Sequence, residues 1–259
     1  MRYPILNREA AVSQRSKPGG RATVVLLAVI VAFGVSAVSG AIVLQWQRSA
    51  AERQANVDWA AEQEAKAALQ KSGFLLISDP RTGHVDHVDF LERKDLDVAT
   101  FQNLAALRHV GSLNLYDTNI SDEQLRYIAG LKHLRCLLLG DTRITDNGLR
   151  YLTHLPNLAS LYLGGTNVSS EGLRHVAGLG SLQVLDLRNT PVTEEGLAHL
   201  RRVDQLEVLV LNEVTESGIP YLLRMQNLKC LTVNRKKISQ DKLRELKETR
   251  PQLTIHEAR

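Results

Sequence analysis

The sequence predicts an α/β solenoid, a stack of short units that each contain one strand and one helix. Three observations support this fold class. A 24-residue pattern recurs over residues 131–202, where leucines return at the same offsets in three consecutive copies. Within each copy, leucines two apart indicate a strand, and leucines three apart indicate a helix. A fixed period of this length is typical of repeat proteins, whose stacked units bury one continuous core. We expect parallel strands on a concave side and short helices on a convex side.

The repeats extend beyond these three copies, because one apolar position recurs along most of the chain. Its members are Phe90, Leu115, Leu139, Leu163, Leu187, Leu211 and Val233. The intervals between them are 25, 24, 24, 24, 24 and 22 residues, so the first and last units are atypical, as terminal units usually are. We therefore predict a repeat domain over residues 73–259, with about seven repeats and a terminal strand.

The N-terminal part of the chain differs in composition. Residues 1–21 are basic and polar, which predicts a disordered tail, and residues 22–44 carry no charged side chain. A bilayer core requires about 20 apolar residues, so we predict a single transmembrane helix over 22–46. Five basic residues precede this span, which places the N-terminus in the cytoplasm and the repeats outside it, in a single-pass protein of the cell membrane. A cleaved signal peptide is the alternative, because small residues between Ser36 and Ala41 can supply a cleavage site.

Residues 47–72 are rich in strong helix formers and predict a helical stem that continues from the span. Alanines and leucines recur on one narrow face of this helix. Because terminal repeats need a cover for their exposed core, we expect this face to form the N-terminal cap of the solenoid.

Composition and motifs argue against several functional classes. The formal net charge is +4 for the whole chain, and the five basic residues and one acidic residue of the N-terminal tail already account for it. The neutral remainder offers no general attraction for nucleic acid. The sequence contains none of the short nucleotide-binding, hydrolase or metalloprotease motifs, so we predict no enzymatic activity and no cofactor. Histidines and aspartates lie close together between His84 and Asp89, but no second cluster completes four ligands, and we predict no metal site.

Threonine recurs three residues after the last leucine of each predicted strand, where the chain turns inward. The four positions are Thr118, Thr142, Thr166 and Thr190. A hydroxyl can donate and accept, so we predict a structural ladder in which these side chains satisfy backbone groups of neighbouring units. A hydroxyl residue and an acidic residue then precede each helix, which fits a helix N-terminus.

The combined pattern T-x-[IV]-[ST]-[DE]-x-G-L resembles that of bacterial leucine-rich repeat proteins. It is also similar to the cysteine-containing repeat class, in which cysteine stands where threonine stands here. The resemblance covers residues 85–255 and is most specific in the three middle units. It implies a leucine-rich repeat solenoid of the ribonuclease-inhibitor type, whose strand face binds a protein partner. The unit around Leu211 lacks the threonine and the next unit has Lys236 there, so the ladder is expected to end before the domain does.

The strand residues between the inward leucines are predicted to face the concave surface and to bind the partner. The predicted binding residues are Leu138, Tyr162, Val184, Asp186, Arg188, Val208 and Val210. This set is more apolar than a merely solvated face requires, although β-propensity in a parallel sheet is an alternative explanation. We therefore expect a membrane-anchored protein-interaction module centred on Tyr162. A structural spacer or a glycan-binding surface protein is the alternative.

Overall fold

The structure, a computed structural model, describes residues 37–234 and 238–257. The predicted tail, 1–21, and most of the predicted span, 22–46, lie outside these residues. Within the described part, no helix is both long enough and apolar enough to cross a membrane. The membrane anchor therefore stays a prediction.

The chain divides into two compact units, Met1–Asn56 and Val57–Arg259. Helix α1, Ala37–Lys71, contributes residues to both units. In the first unit, Trp46 is exposed on this helix, and its carbonyl accepts a hydrogen bond from Ser49 Oγ at 2.9 Å. The repeats lie entirely in the second unit.

The second unit contains a nine-stranded sheet in which the strands follow chain order. The strands are β1 Leu75–Ser78, β2 Val85–Asp89, β3 Ser112–Asn114, β4 Cys136–Leu138, β5 Ser160–Tyr162, β6 Val184–Asp186, β7 Val208–Glu213, β8 Cys230–Asn234 and β9 Thr254–Glu257. Strand β1 pairs antiparallel with β2, and the later neighbouring pairs are parallel. The predicted α/β architecture of parallel strands and helices is confirmed.

Helical segments connect successive strands from β2 onward. They are α2 Val98–Ala106, α3 Leu125–Ile128, α4 Asp146–Leu152, α5 Leu173–Val176, α6 Glu194–Leu200, a 3-10 turn at Glu216–Gly218, α7 Ile219–Arg224 and α8 Gln240–Thr249. One strand and one helix per period is the arrangement of a solenoid, in which each unit contacts mainly its neighbours.

A continuous apolar core fills the space between the sheet and the helices. The recurring apolar position that begins at Phe90 is buried in every unit. Helix residues at three-residue spacing, such as Leu149 and Leu152, close the core from the other side. Ala65 and Leu69 of α1 join the same core. Full burial of one leucine contributes about 1.5–3 kcal/mol, so the periodic leucines supply most of the driving force for stacking.

The ladder threonines close the turn that ends each strand. Each Oγ1 donates to the carbonyl three residues earlier: Thr118 to Leu115 at 2.8 Å, Thr142 to Leu139 at 2.5 Å, Thr166 to Leu163 at 2.7 Å and Thr190 to Leu187 at 2.7 Å. These acceptors differ from the predicted ones in neighbouring units, because the turning backbone offers a nearer carbonyl within the same unit. Where the threonine is missing, β7 continues for six residues, whereas β6 has three.

Carboxylates at the starts of the helices join neighbouring units instead. Asp122 accepts hydrogen bonds from the backbone N–H of Thr145 at 2.8 Å and from its hydroxyl at 2.6 Å. Asp146 accepts from the backbone N–H of Ser169 at 2.7 Å and from its hydroxyl at 2.6 Å. Each carboxylate thus satisfies an amide of the following unit that would otherwise lack a partner.

The same carboxylates explain why glycine recurs near the start of the next helix. A Cβ at Gly172 would lie 2.9 Å from the carboxyl carbon of Asp146, and a Cβ at Gly148 would lie 3.1 Å from that of Asp122. A side chain at either position would push the carboxylate away from its amide. Glycine is required here for the close approach of two units.

Substitution of one carboxylate tests this coupling between units. Asp146→Ala should lower the free energy of unfolding by about 1.5–3 kcal/mol, because the Ser169 amide loses a charged acceptor. Asn147→Ala, at an exposed position on the same turn, should change it by less than about 0.5 kcal/mol. Urea denaturation followed by circular dichroism measures both. Equal midpoints for Asp146→Ala and the unmodified chain would show that the carboxylates do not couple the units.

Candidate functional site on the strand face

The outward side chains of the sheet form two rows on the strand face, the sheet surface opposite the helices. The strand register aligns one row of Asn114, Leu138, Tyr162, Asp186 and Val210. It aligns a second row of Ser112, Cys136, Ser160, Val184 and Val208. Strands lie only about 4.8 Å apart, so side chains within a row cover one another and most are half-buried. The concavity of this face stays a prediction.

Strand β1 adds two exposed apolar side chains to the strand face. Antiparallel pairing places Leu75 opposite Asp89 and Ile77 opposite His87. Leu75 is 57% exposed and Ile77 is 54% exposed, whereas the apolar residues of the two rows are half-buried. Sequence reasoning missed this part of the face, because β1 precedes the periodic repeats and its register depends on antiparallel pairing.

A pocket of about 360 Å³ opens on the strand face. Its lining residues are Tyr116, Leu138, Gly140, Asp141, Tyr162, Gly164, Asp186, Arg188, Asn189 and Asn212. The structure therefore brings together four of the predicted binding residues, namely Leu138, Tyr162, Asp186 and Arg188. The other three do not line the pocket but lie half-buried on strands β6 and β7, namely Val184, Val208 and Val210.

Two glycines create the depression in the surface. Gly140 and Gly164 follow the ends of adjacent strands, and a Cβ at Gly140 would lie 3.1 Å from the Gly164 carbonyl oxygen. The same Cβ would lie 2.8 Å from two ring atoms of Tyr116, so the tyrosine ring lies directly over Gly140. The two glycines therefore leave room for the Tyr116 ring at one end of the pocket, whose lining also includes Arg188.

The turns that end the strands place polar groups at the rim of the pocket. Asp141 and Asn189 have φ angles of 53° and 54°, a left-handed conformation that aspartate and asparagine tolerate better than most residues. The ladder threonine that follows each of them closes the same turn. At this rim, Asn212 Nδ2 donates to Asn189 Oδ1 at 3.1 Å. The ladder threonines therefore close the turns that carry Asp141 and Asn189, whereas Asn212 lies on β7, where the threonine is missing.

Tyr116 is held in place by its hydroxyl, which donates a hydrogen bond to the Asp141 carboxylate. This hydrogen bond raises the pKa of Tyr116 above its ordinary value, and the negative charge of Asp141 acts in the same direction. The side chain remains partly exposed. It therefore presents an oriented aromatic surface to a ligand.

Arg188 is held by a buried carboxylate at the opposite side of the pocket. Its Nη2 donates to Asp186 Oδ2 at 2.7 Å, and its Nε lies 3.0–3.1 Å from both carboxylate oxygens. The Asp186 side chain is 5% exposed and the Arg188 side chain 57% exposed. The hydrogen bonds to Asp186 raise the pKa of Arg188 above its ordinary value. A planar guanidinium in one fixed orientation can pair with a carboxylate or stack on a ring.

Tyr162 lies between Leu138 and Asp186 in the central row. Its burial raises the pKa of the phenol above the ordinary value, and the charges of Cys136 and Asp186 act in the same direction. The phenol is therefore neutral near pH 7 and is available as a hydrogen-bond donor inside the pocket.

Six lining residues were not among the predicted binding residues: Tyr116, Gly140, Asp141, Gly164, Asn189 and Asn212. The sequence does indicate a gap at the two glycines, because Tyr116, Gly140, Gly164 and Arg188 occupy equivalent positions of successive repeats. The polar rim carried no such signal, because its geometry depends on a left-handed turn.

Comparison with known proteins supports the repeat class for one unit of the chain. Residues 130–152 match the family described as Leucine Rich repeat. Together with the recurring strand and helix, this match defines the fold as a leucine-rich repeat solenoid. No curated protein gives a significant sequence match.

Solved structures similar to this chain include bacterial repeat proteins. A leucine-rich repeat protein of Leptospira interrogans is 22% identical with a TM-score of 0.45, and the match covers 59% of this chain but only 38% of that one. Internalin C2 of Listeria monocytogenes is 23% identical with a TM-score of 0.49, and the match covers 67% of this chain and 81% of that one. Another internalin of Listeria monocytogenes is 17% identical with a TM-score of 0.42, and the match covers 67% of this chain and 62% of that one. Likenesses this weak transfer no partner or activity to this chain.

A titration of tyrosine absorbance tests the geometry of the pocket wall. Asp141→Asn should lower the pKa of Tyr116 toward its ordinary value of about 10, because the neutral amide no longer favours the protonated phenol. Subtracting the titration curve of Tyr116→Phe isolates this residue. Because the folded pKa is raised, the stabilisation from this hydrogen bond is complete below the unfolded pKa and is lost as pH rises through the folded pKa. If Asp141→Asn leaves the difference curve unchanged, Tyr116 does not bond to Asp141.

Proposed function

We propose that the chain is a membrane-anchored protein whose strand face binds another protein, without catalysis, and that the pocket around Tyr162 is the centre of contact. The observation that carries this proposal is the convergence of Tyr116, Tyr162 and Arg188 on one pocket. Tyrosine and arginine are among the residues that most often dominate the energy of protein interfaces. Such anchors act best in a pocket from which water can be excluded.

The anchors of the pocket are oriented before binding. The Tyr116 hydroxyl donates a hydrogen bond to the Asp141 carboxylate. Arg188 Nε and Nη2 both donate to the Asp186 carboxylate. Ordering a long side chain at an interface costs about 0.5–1.5 kcal/mol. Because this ordering has already occurred in the free protein, more of the contact energy is available for affinity.

The shape and charge of the pocket define the group that it accepts. About 360 Å³ lies near the lower end of the range for binding pockets, which suits one large side chain of a partner. Asp141 and Asp186 contribute two carboxylates and Arg188 one guanidinium, so the lining carries one formal negative charge. A partner side chain with an apolar body and a hydrogen-bond donor at its tip fits this lining.

The contact area extends beyond the pocket. A standard interface covers about 800 Å² on each partner, which is more than one side-chain pocket provides. Leu75 and Ile77 of β1, and Leu91 two residues after β2, are exposed apolar side chains at the N-terminal end of the sheet. We propose that the partner spans the strand face from the pocket to β1, because the exposed apolar area lies in that direction.

Glycan binding is the second candidate function. Two tyrosines and two asparagines line the pocket, and aromatic faces and amides can stack on sugar rings and bond to their hydroxyls. A spacer without a partner requires neither oriented anchors nor a pocket. The binding test below distinguishes these possibilities.

Paired substitutions on the two faces test the binding surface. Tyr162→Ala should weaken binding of the captured partner by about 2 kcal/mol or more, which corresponds to about 30-fold. Arg174→Ala, at an exposed position of α5 on the helix side, should change the affinity by less than about twofold. The partner is captured with the full chain, identified by mass spectrometry and then titrated against each variant.

The outcomes of this experiment separate the candidate functions. Loss of binding with Arg174→Ala and retention with Tyr162→Ala would refute a site on the strand face. Binding of purified oligosaccharides in place of a protein, with the same sensitivity to Tyr162→Ala, would support the glycan candidate. Full affinity in both variants would show that the pocket is not part of the interface.

The anchor part of the proposal is supported by the uncharged stretch 22–44. The full chain should remain with membranes after extraction with alkaline carbonate, since an apolar span of this length stays in the bilayer. Protease added from the non-cytoplasmic side should digest the repeats, and protease from the cytoplasmic side should not. Release by carbonate together with a mature N-terminus near Ala41 would establish a cleaved signal peptide instead.

A further inference from the structure

Three side chains from separate segments converge beside the first repeats. They are Glu62 of α1, His84 immediately before β2, and His109 in the turn before β3. The distance from Glu62 Oε2 is 2.7 Å to His84 Nδ1 and 3.3 Å to His109 Nδ1. One ligand atom from each residue lies within 4.8 Å of the other two. This cluster is separate from the pocket on the strand face, with which it shares no residue.

Helix packing brings the carboxylate to the two imidazoles. Glu62 precedes Ala65 and Leu69 on the buried face of α1, at spacings of three and four residues, and both of those side chains lie in the core. The backbone N–H of Val85 donates to Glu62 Oε1 at 3.0 Å. That bond orients the carboxylate and leaves Oε2 directed at the histidines.

The repeat itself aligns the two imidazoles. His84 and His109 precede successive strands, and their rings stack with centroids 3.7 Å apart. His133 precedes the next strand and stacks on His109 with centroids 5.4 Å apart. An edge of Trp59 contacts His84 at a centroid distance of 4.9 Å. The two imidazoles therefore lie face to face in one column of rings beside Glu62.

Burial of the carboxylate requires a compensating group. The Glu62 side chain is 3% exposed, whereas those of His84 and His109 are 27% and 43% exposed. A buried carboxylate is costly unless it is paired and hydrogen-bonded. A neutral imidazole can donate from Nδ1 in only one of its tautomers. A cation bound by Glu62 Oε2 and by Nδ1 of both imidazoles would compensate the charge of the carboxylate, and the two rings would turn out of their stacked arrangement so that both in-plane lone pairs meet the ion.

The donor set selects the kind of cation. One carboxylate oxygen and two imidazole nitrogens are ligands typical of Zn²⁺. Ca²⁺ and Mg²⁺ bind oxygen ligands instead. Three protein ligands leave a fourth tetrahedral position for water or for a ligand from solution, and both histidines are exposed enough for that position to face solvent.

We propose that Glu62, His84 and His109 form a Zn²⁺ site that fastens the C-terminal part of α1 to the first repeats. The ion bonds to residues from three segments that are otherwise held together only by noncovalent contacts. The prediction of no metal site from the sequence is replaced by this proposal, because the carboxylate comes from a helix outside the repeats and the second histidine from another unit. Coordination adds stability to the N-terminal end of the solenoid, since a bound ion favours the folded state.

Zinc titration of the full chain, purified without a polyhistidine tag and stripped with a chelator, tests the site. We expect one Zn²⁺ per chain and a rise in Tm of about 5–10 °C at a free zinc concentration of 100 times Kd. Mg²⁺ and Ca²⁺ at millimolar concentration should not shift Tm. Co²⁺ should bind with the visible absorbance of a four-coordinate site.

Variants of the cluster determine whether these three residues are the ligands. His109→Ala should weaken zinc binding by at least about 100-fold, with its Tm in chelator close to that of the unmodified chain because the side chain is half-exposed. Glu62→Gln should weaken binding similarly, and if it does not fold, His109→Ala decides alone. His133→Ala is the matched control, since it stacks in the same column but lies outside the ligand set, and it should bind zinc normally. No zinc-dependent shift in the unmodified chain, or equal affinities in His109→Ala and His133→Ala, would overturn the proposal and leave a simple pairing of Glu62 with His84.

Discussion

The parallel register between successive units is the constraint on which the rest of the structure depends. Leu113, Leu137 and Leu161 pair with one another across adjacent strands, so every unit buries the same face. A slip of one residue would exchange the buried and exposed faces, which makes the register costly to change. The carboxylates of Asp122 and Asp146 fix the same alignment on the loop side, because each reaches the backbone of the following unit. Core and loops thus impose one alignment through different interactions.

The two proposed sites lie where the repeats differ from one another. Core positions hold nearly the same residue in each unit, and they determine only that the units stack. At one position just past the strands, successive units carry Tyr116, Gly140, Gly164 and Arg188, and this change in side-chain size produces the pocket. The histidine cluster follows the same principle, since it forms where a helix outside the periodic pattern meets the first repeats. Both proposed sites therefore depend on departures from the period.

The periodic part of the fold could be predicted from the sequence, because each buried position is repeated and the repeats confirm one another. Leu138, Tyr162, Asp186 and Arg188 could be placed on one face for the same reason. Contacts between segments with no shared period could not be predicted. These include the antiparallel register of β1 and the approach of Glu62 to His84 across 22 residues of chain. The acceptors of the threonine hydroxyls could not be predicted either. Each is a carbonyl of the same unit, which the turn of the backbone brings close to the hydroxyl.

The reversed direction of β1 has a consequence for assembly. Contacts between successive units are head-to-tail, and a head-to-tail interface has no intrinsic end, so exposed terminal units would allow chains to add to one another as a filament. At the N-terminal end, β1 occupies the edge of β2 where another parallel strand would pair. A repeat strand of another chain that approached in the direction of the solenoid would lie antiparallel to β1, so it could not continue the parallel register of the repeats. The reversed strand therefore ends the parallel series of units on this side of a structure whose internal symmetry is open.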